Sequence, residues 1–457
     1  MKIFQILSNR WFKFSIWTIL FLLWVIWFGK WWLIIGVAVI FDIFITKKVK
    51  WAFWKKQYKE GEKKNIWLEW LDAIIFAVVV ATFLNVYFFA SYMIPTGSME
   101  RTLMTGDRLF VSKLSYGPRI AHTPLTIPLT HNVVPVVGGE SYLEWIKAPY
   151  RRLTGLSKVK RDDIVVFNWP HGDTVMTKDR MGDYYESVRI HGREYTISTN
   201  GPLIVRPYDK TDNYVKRCVA IAGDSLEIID GVLYVNGNPQ PFYEGRQRTY
   251  VVITNGTQIN SKILEGMGHG RNAIQGRGRN AIHYNSALPG YYAIPLNDKE
   301  VESISKLGNV VDVRPNIGYY DDAPNENRLR IFPFSDEYKW SCDNYGPLWI
   351  PQSGVTVFLT LENLPLYSRI ITAYEGNTLE IKDEVIYING EATSEYTFKW
   401  NYYFMMGDNR HNSLDSRYWG FVPETHIIGT PAVVWFSSDP EDSFPGNIRW
   451  KRFFKFM

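Results

Sequence analysis

The chain has little cysteine, no recognisable histidine cluster and no strong excess of charge. Only two of its 457 residues are cysteine, Cys218 and Cys342, so one disulfide is allowed but the sequence does not establish it. The net charge of +5 is modest and comes largely from one lysine-rich segment and a basic tail, so nucleic acid is not an expected partner. The eight histidines have no distinctive partner pattern, which leaves a Ser-His-Asp triad unsupported.

Apolar residues are concentrated near the N-terminus in three runs, which are Trp11–Phe28, Trp31–Thr46 and Trp67 to roughly Tyr92. These runs predict membrane helices, although the first two are short for a bilayer that needs about 20 residues. Tryptophans at the ends of the first two runs suit the membrane interface. The first run lacks the small residues of a cleavage site, so we expect it to stay attached.

Lysines between the second and third runs set the expected orientation. The segment 47–66 is rich in lysine, and positive loops stay in the cytoplasm. We therefore divide the start of the chain into a helical hairpin (1–46), a cytoplasmic loop (47–66) and a third membrane helix (67–92). Everything after this helix should lie on the extracytoplasmic side of the membrane.

Long amphipathic helix patterns are scarce after Ile94, where short β-rich runs alternate with Gly, Pro, Asn and Asp. This pattern predicts a mainly β, antiparallel domain built from residues 93–239 and 349–457. The polar stretch 240–348, which includes an Arg/Gly tandem, is interpreted as an inserted, non-catalytic subdomain or set of loops. An internal echo between Lys216–Gly237 and Arg369–Gly390 predicts a strand followed by a hairpin in both places.

The short segment "PTGSM" places a serine directly after the third apolar run. A serine hydroxyl needs a base to become a nucleophile, and a lysine can serve if burial lowers its pKa from about 10.4 toward 7 or 8. Lys216 begins the apolar run "KRCVAIAG", where its side chain could be held in an apolar setting. The two residues become persuasive only together with the motifs around them.

Four segments together resemble the bacterial type I signal peptidases, a family of Ser/Lys-dyad serine proteases. The segments are "IPTGSMERTLMTGDRLFVSKLSYG", "RDDIVVFNWP", "VKRCVAIAGDSLEI" and "MMGDNRHNSLDSRYWGFVPETHIIG". The last segment, which contains "GDNR" and "DSRYWGFVPE", is highly specific for this family. The resemblance implies a type I signal peptidase-like antiparallel β catalytic domain, with an inserted second subdomain, preceded by transmembrane α-helices.

The same resemblance assigns roles to individual residues and requires no metal or cofactor. It makes Ser98 the nucleophile and Lys216 the general base. The backbone N–H of Ser98 and the hydroxyl of Thr96, where many relatives have serine, would hold the oxyanion. Ser413 would orient the lysine amine. The residues that would frame the site are Gly407, Asp408, Asp415 and Arg417, with an ion pair between the last two.

The resemblance also predicts which residues contact the substrate, and one residue differs from the family pattern. Shallow apolar subsites for small side chains would be lined by Tyr92, Ile94, Pro95, Met99, Leu103, Tyr214 and Val215. His411 stands where many relatives have aspartate, which leaves the acidic partner of the nearby arginines in doubt.

The predicted function is a membrane-bound endopeptidase that removes signal peptides from exported preproteins after Ala-x-Ala-like motifs. We expect it in the bacterial inner membrane, as a multi-pass protein with a periplasmic catalytic domain, in contact with the lipid bilayer. Two alternatives stay open at this point: a Ser-Lys peptidase dedicated to one substrate, and a catalytically silent homologue acting as an envelope scaffold. The sequence leaves the oligomeric state open.

Overall fold

The computed structural model describes residues 9–49, 51, 66–241, 243–276, 281–284, 290–318 and 329–457. Most of the lysine-rich loop predicted over 47–66 therefore lies outside the described residues, as does part of the Arg/Gly tandem.

Two helices near the N-terminus are long and apolar enough to cross a membrane. The first is Arg10–Phe28, which begins where the Asn9 side chain accepts the Trp11 N–H and ends at Gly29 with a left-handed φ of 69°. The second is Ile66–Tyr87. Between them, Trp31–Thr46 is a short apolar run built from a 3₁₀ turn, an α-helix and a π turn: Trp31–Ile35, Gly36–Phe41 and Asp42–Thr46.

The third apolar run does not stay helical to Tyr92, so that predicted boundary was wrong. The helix ends at Tyr87, and Phe89–Met93 forms a strand. The cause is a complete antiparallel ladder with Asp107–Ser112, whose register pairs Phe89 with Ser112 and Met93 with Arg108. Apolar residues extend past the helix because the following strand also buries one of its faces.

An antiparallel eight-stranded sheet forms the main body, which confirms the mainly β fold. Lys455–Phe456 pairs with the long strand Ile427–Ser437 and lies outside the linear order of the other seven strands. The other strands follow one another in space as Phe89–Met93, Asp107–Ser112, Ile427–Ser437, Ile164–Asn168, Asn213–Ala220, Tyr402–Met406 and Val422–Pro423.

Smaller sheets surround this body. One sheet of four strands orders Asn238–Pro239, Val232–Val235, Ser225–Ile229 and Tyr345–Trp349, and another orders His283–Tyr284, Tyr291–Leu296, Arg248–Thr254 and Val310–Pro315. A three-stranded sheet contains Leu379–Lys382, Val385–Ile388 and Glu391–Ala392. Three strand pairs complete the described sheets: Leu125–Thr126 with Tyr142–Leu143, Thr174–Met176 with Leu203–Val205, and Thr356–Phe358 with Glu395–Thr397.

Helices of the β-rich region are short. The α-helices are Tyr184–His191, Arg193–Asn200, Ser261–Gly266, Arg271–Ile274, Asp298–Ser305, Leu364–Arg369 and Ser416–Trp419, with a π-helix at Ile370–Tyr374. The 3₁₀ turns are Gly97–Met99, Tyr208–Lys210, Glu424–His426 and Trp450–Arg452.

The stretch predicted as an insertion contains a sheet with its own core. Tyr250, Val252, Ile294 and Ile304 are buried together on the sheet that includes Arg248–Thr254. The last part of the stretch packs elsewhere, because Ile331, Phe332 and Cys342 are buried in a second core with residues such as Phe404. Tyr345–Trp349 then pairs with Ser225–Ile229 of a smaller sheet. The described part of the predicted insertion therefore contains a packed sheet, and its final residues belong to the core of the peptidase region.

The internal echo holds only for its hairpins. Ser225–Ile229 with Val232–Val235 and Leu379–Lys382 with Val385–Ile388 are both antiparallel hairpins. The strand predicted before the second hairpin is instead the helix Leu364–Arg369 and its π continuation. Buried residues recur there at a spacing of three or four, which suits a helix: Leu364, Tyr367, Ile370 and Ile371.

Candidate active site

A tight turn presents the Ser98 side chain. Thr96 is extended, and the 3₁₀ turn Gly97–Met99 follows it. Asn409 holds this turn from outside, since its backbone N–H donates to Ser98 O at 3.0 Å and its side chain donates to Gly97 O at 3.2 Å. Asn409 was not among the predicted site residues, although it lies within the motif "GDNR".

The sheet brings Lys216 to this serine. Lys216 lies in the strand Asn213–Ala220, opposite Val165 of the neighbouring strand. Its Nζ donates to Ser98 Oγ at 2.6 Å and lies 3.2 Å from Val215 O. The two side chains that the sequence separates by more than a hundred positions are thus in direct contact, and Lys216 is only 3% exposed.

Burial lowers the pKa of Lys216, which allows it to act as a base. Desolvation lowers the pKa of Lys216 to about 8, and the negative charges of Asp415 and Asp408 only partly oppose that shift. A pKa near 8 leaves an appreciable fraction of neutral amine at neutral pH.

Two buried ion pairs surround the dyad. Arg417 binds Asp415 through two hydrogen bonds, Nε to Oδ1 at 2.9 Å and Nη2 to Oδ2 at 2.8 Å, so the predicted ion pair is present. Arg217 binds Asp408 in the same bidentate way, with both distances 2.7 Å. Burial raises the pKa of Asp415, but the Arg417 charge outweighs it and holds that pKa below its ordinary value. Both carboxylates are therefore anchored by an arginine, and the lowered pKa of Asp415 keeps that carboxylate charged.

Gly407 and Ser413 pack against each other beside the nucleophile turn. A Cβ on Gly407 would lie 2.2 Å from Ser413 Oγ and 2.6 Å from Ser98 O, so no larger residue fits. Ser413 Oγ is buried, and its side chain interacts with Asp415, whose pKa it helps to lower. Within the described residues no hydrogen bond joins it to the Lys216 amine, so that predicted contact is absent from this conformation.

A cleft of about 670 Å³ opens over Ser98 and Lys216. Its lining includes six of the seven residues expected to bind substrate, which are Tyr92, Ile94, Pro95, Met99, Tyr214 and Val215, and it also includes Thr96 and Ser413. Leu103 is the exception, because it is fully buried in the apolar cluster beneath the site. The sequence analysis missed Met181 and the ion-paired Glu186 and Arg330, which also line the cleft.

His411 links the catalytic block to the inserted region. The Thr249 N–H donates to its Nδ1 at 3.2 Å, and its Nε2 lies 3.0 Å from Asp343 Oδ1. Nδ1 therefore acts as acceptor, and Nε2 carries the proton that Asp343 accepts. Arg217 and Arg417 have acidic partners, Asp408 and Asp415. The neighbouring Arg410 donates to Gln240 and Tyr243.

The cysteines do not form a disulfide. Cys218 and Cys342 are both free and buried, in different parts of the fold. Burial raises the pKa of both thiols, which keeps them protonated and unreactive at neutral pH.

Known proteins similar to this chain agree on one family. The family model described as signal peptidase, peptidase S26, matches residues 67–275 and 397–436. The signal peptidase I of Haemophilus influenzae is 44% identical over 387 residues, which cover 84% of this chain and 74% of that protein.

More distant relatives cover nearly the whole chain. The signal peptidase I of Helicobacter pylori strain J99 is 24% identical over 397 residues, covering 84% of this chain and 90% of its own length. The signal peptidase I of Buchnera aphidicola from Acyrthosiphon pisum is 24% identical over 407 residues, which cover 88% of this chain and 85% of that protein. The match reaches both segments that meet in the cleft, and the chain therefore belongs to the peptidase S26 family of signal peptidases and is a serine endopeptidase.

Proposed function

We propose that this protein is a membrane-bound signal peptidase in which Ser98 and Lys216 form the catalytic dyad. The observation that carries the proposal is the 2.6 Å contact between Lys216 Nζ and Ser98 Oγ at a site where burial lowers the pKa of the lysine. A neutral amine accepts the serine proton, and an ordinary solvated lysine would not.

The chemistry follows from these two groups. Ser98 Oγ attacks the carbonyl carbon of the scissile peptide while its proton passes to Lys216 Nζ. The N–H of Ser98 and the hydroxyl of Thr96 stabilise the oxyanion. Lys216 then protonates the leaving amine, and the peptide C–N bond breaks. A water molecule, deprotonated by Lys216, hydrolyses the acyl ester and frees Ser98.

The anchored residues around the dyad have supporting roles. The Asp415–Arg417 and Asp408–Arg217 pairs hold the segment after Met406 beside Lys216. Gly407 permits the close approach of this segment to Ser98 O. Ser413 lines the same cleft as Lys216, and its role is to orient the lysine amine during the reaction.

The order of the elements supports a site close to the bilayer surface. Ile66–Tyr87 leads directly into Phe89–Met93, and the turn with Ser98 follows. The C-terminal end of the first helix also contacts the β domain, since Trp27 Nε1 donates to Thr154 O at 2.9 Å and Arg151 donates to Phe28 O. This arrangement supports a periplasmic catalytic domain on a multi-pass anchor in the inner membrane, acting on preproteins whose apolar segments are still embedded.

Cleavage of a preprotein that ends its signal in Ala-x-Ala tests the proposal. We expect Ser98→Ala and Lys216→Met to lose at least ~10³-fold in kcat, whereas Ser157→Ala and Lys158→Ala, on an exposed turn, keep full activity. Activity in either dyad variant at the wild-type rate would overturn the mechanism. A panel of preproteins separates the alternatives, because a dedicated peptidase cleaves one member and a scaffold cleaves none.

A further inference from the structure

A second, polar pocket of about 310 Å³ lies where the Ile66–Tyr87 helix meets the β domain. One wall is the last turns of the helix, with Thr82, Asn85 and Val86. The facing wall carries three cations, Lys113, Arg119 and Lys210. The pocket does not include Ser98 or Lys216, and the proposed mechanism does not use it.

Neutral oxygens are the hydrogen-bond acceptors of all three cations in the described part of the chain. Lys113 Nζ donates to Asn85 O at 2.7 Å, which ties the β domain to the helix end. Lys210 Nζ donates to Thr126 Oγ1 at 2.8 Å. Arg119 donates to Thr425 O at 2.6 Å and to the Asn168 side chain. Each positive charge therefore lacks a carboxylate in direct contact.

These charges are close enough to repel one another. Burial, followed by the charges of Arg119 and Lys210, lowers the pKa of Lys113 to about 8. Burial likewise lowers the pKa of Lys210, where Asp209 attracts and Arg119 repels. The lining histidine, His131, adds no further positive charge because burial lowers its pKa and favours the neutral ring. The pocket holds excess positive charge that a bound anion would neutralise.

One carboxylate oxygen in the wall is also without a partner. Asp209 is only 9% exposed, and its Oδ2 accepts from Thr123 N and Thr123 Oγ1, both at 3.0 Å. Its Oδ1 is buried and accepts no hydrogen bond within the described residues. A ligand that carries a hydroxyl donor beside an anionic group would satisfy Asp209 and the cations together.

The position of the pocket identifies the source of that anion. Given the membrane orientation proposed above, the end of the Ile66–Tyr87 helix lies at headgroup level. Exposed apolar side chains, Ile127 and Leu129, form part of the same lining and suit the boundary between headgroups and acyl chains. A soluble anion would have no use for this apolar rim.

We propose that this pocket binds the headgroup of an anionic phospholipid. The phosphate lies among Lys113, Arg119 and Lys210, and a headgroup hydroxyl, as in phosphatidylglycerol, donates to Asp209 Oδ1. Basic pockets beside membrane helices suit such headgroups because charge-assisted hydrogen bonds to phosphate are strong. The bound lipid bridges the helix and the β domain, which fixes the height of the catalytic cleft above the bilayer.

Lipid binding to the delipidated full-length protein in detergent tests this proposal. Native mass spectrometry would count bound phosphatidylglycerol and phosphatidylcholine, added in equal amounts, and thermal unfolding would report stabilisation by each. We expect wild type to retain phosphatidylglycerol about tenfold more than phosphatidylcholine, a difference equivalent to about 1.4 kcal/mol. Lys210→Gln and the double variant Lys113→Gln/Lys210→Gln should lose this preference, whereas Lys382→Gln, an exposed lysine on a different sheet, should keep it.

Controls make the outcome decisive. Unfolding without lipid should occur at or above the wild-type temperature in Lys210→Gln, since a buried charge is removed. Persistence of the lipid preference in folded Lys210→Gln and in the double variant would overturn the proposal. Inorganic phosphate that stabilises wild type as strongly as phosphatidylglycerol would assign the pocket to a soluble anion and overturn the lipid source. Ser98→Ala should bind lipid as wild type does, so a failure of the proposed peptidase chemistry remains distinguishable.

Discussion

The pH dependence of cleavage should follow the titration of Lys216. Burial lowers the pKa of this lysine from 10.5 to about 8. At pH 7, roughly one molecule in ten then carries the neutral amine, compared with about three in 10,000 for an unperturbed lysine. The fold therefore supplies a gain of about 300-fold in active base at neutral pH.

The assay is kcat/KM for a preprotein measured between pH 6 and 10 in detergent. We expect an increase of about tenfold per pH unit below pH 8 and a plateau above it, because kcat/KM reports the free enzyme. A thermal unfolding curve at each pH would show that the protein stays folded. A flat profile, or an inflection near the ordinary lysine pKa, would refute the assignment of Lys216 as the base.

The lowered pKa of Lys216 favours catalysis but makes the folded state less stable. A lysine whose pKa is lowered in the folded state disfavours folding below pH 8, and this penalty disappears as the pH rises from 8 to 10.5. A shift of about 2.5 units corresponds to about 3 kcal/mol. Lys216→Met should therefore be inactive but unfold at a higher temperature than wild type at pH 7, and the difference should shrink above pH 8.

Three further predictions concern the residues around the dyad. Thr96→Val should lower kcat by roughly 10²–10³-fold through loss of an oxyanion donor, and Thr96→Ser should retain activity; equal rates in both variants would contradict this role. Gly407→Ala should lower kcat more than KM changes, since the new Cβ would lie 2.6 Å from Ser98 O; a wild-type rate would show that the turn can shift freely. Asp415→Asn should lower the free energy of unfolding by about 3–5 kcal/mol because the buried Arg417 loses its partner, and an unchanged urea midpoint would contradict the ion-pair argument.

The parts of the site that the sequence predicted are those carried by contiguous motifs. "PTGSM" contains the turn that presents Ser98. "GDNRHNSLDSR" contains its own charge partners, since Asp415 and Arg417 pair across a single residue. The resemblance to a known family then related the motifs to each other, and the comparisons confirmed that family.

The errors arose where long-range contacts decide the structure. The helix boundary near Tyr92 was wrong because a strand pairing with Asp107–Ser112 overrides an apolar run that continues without a break. The resemblance made Leu103 a candidate wall residue, but in the structure it is buried in the apolar cluster and is not part of the cleft lining. The contribution of Arg330 to the cleft has no local signal, since it depends on how a distant segment folds back.

His411 shows how an apparent defect in a motif can be a structural connection. Its two ring nitrogens join Thr249, at the start of the inserted sheet, and Asp343, just before the chain returns to the main body. An aspartate at this position would place a second carboxylate beside Asp343, so the residue and the inserted region are best understood as a matched pair. The short segment from Asn409 to His411 therefore bonds on one side to the turn that carries Ser98 and on the other side to Thr249 and Asp343 of the inserted region.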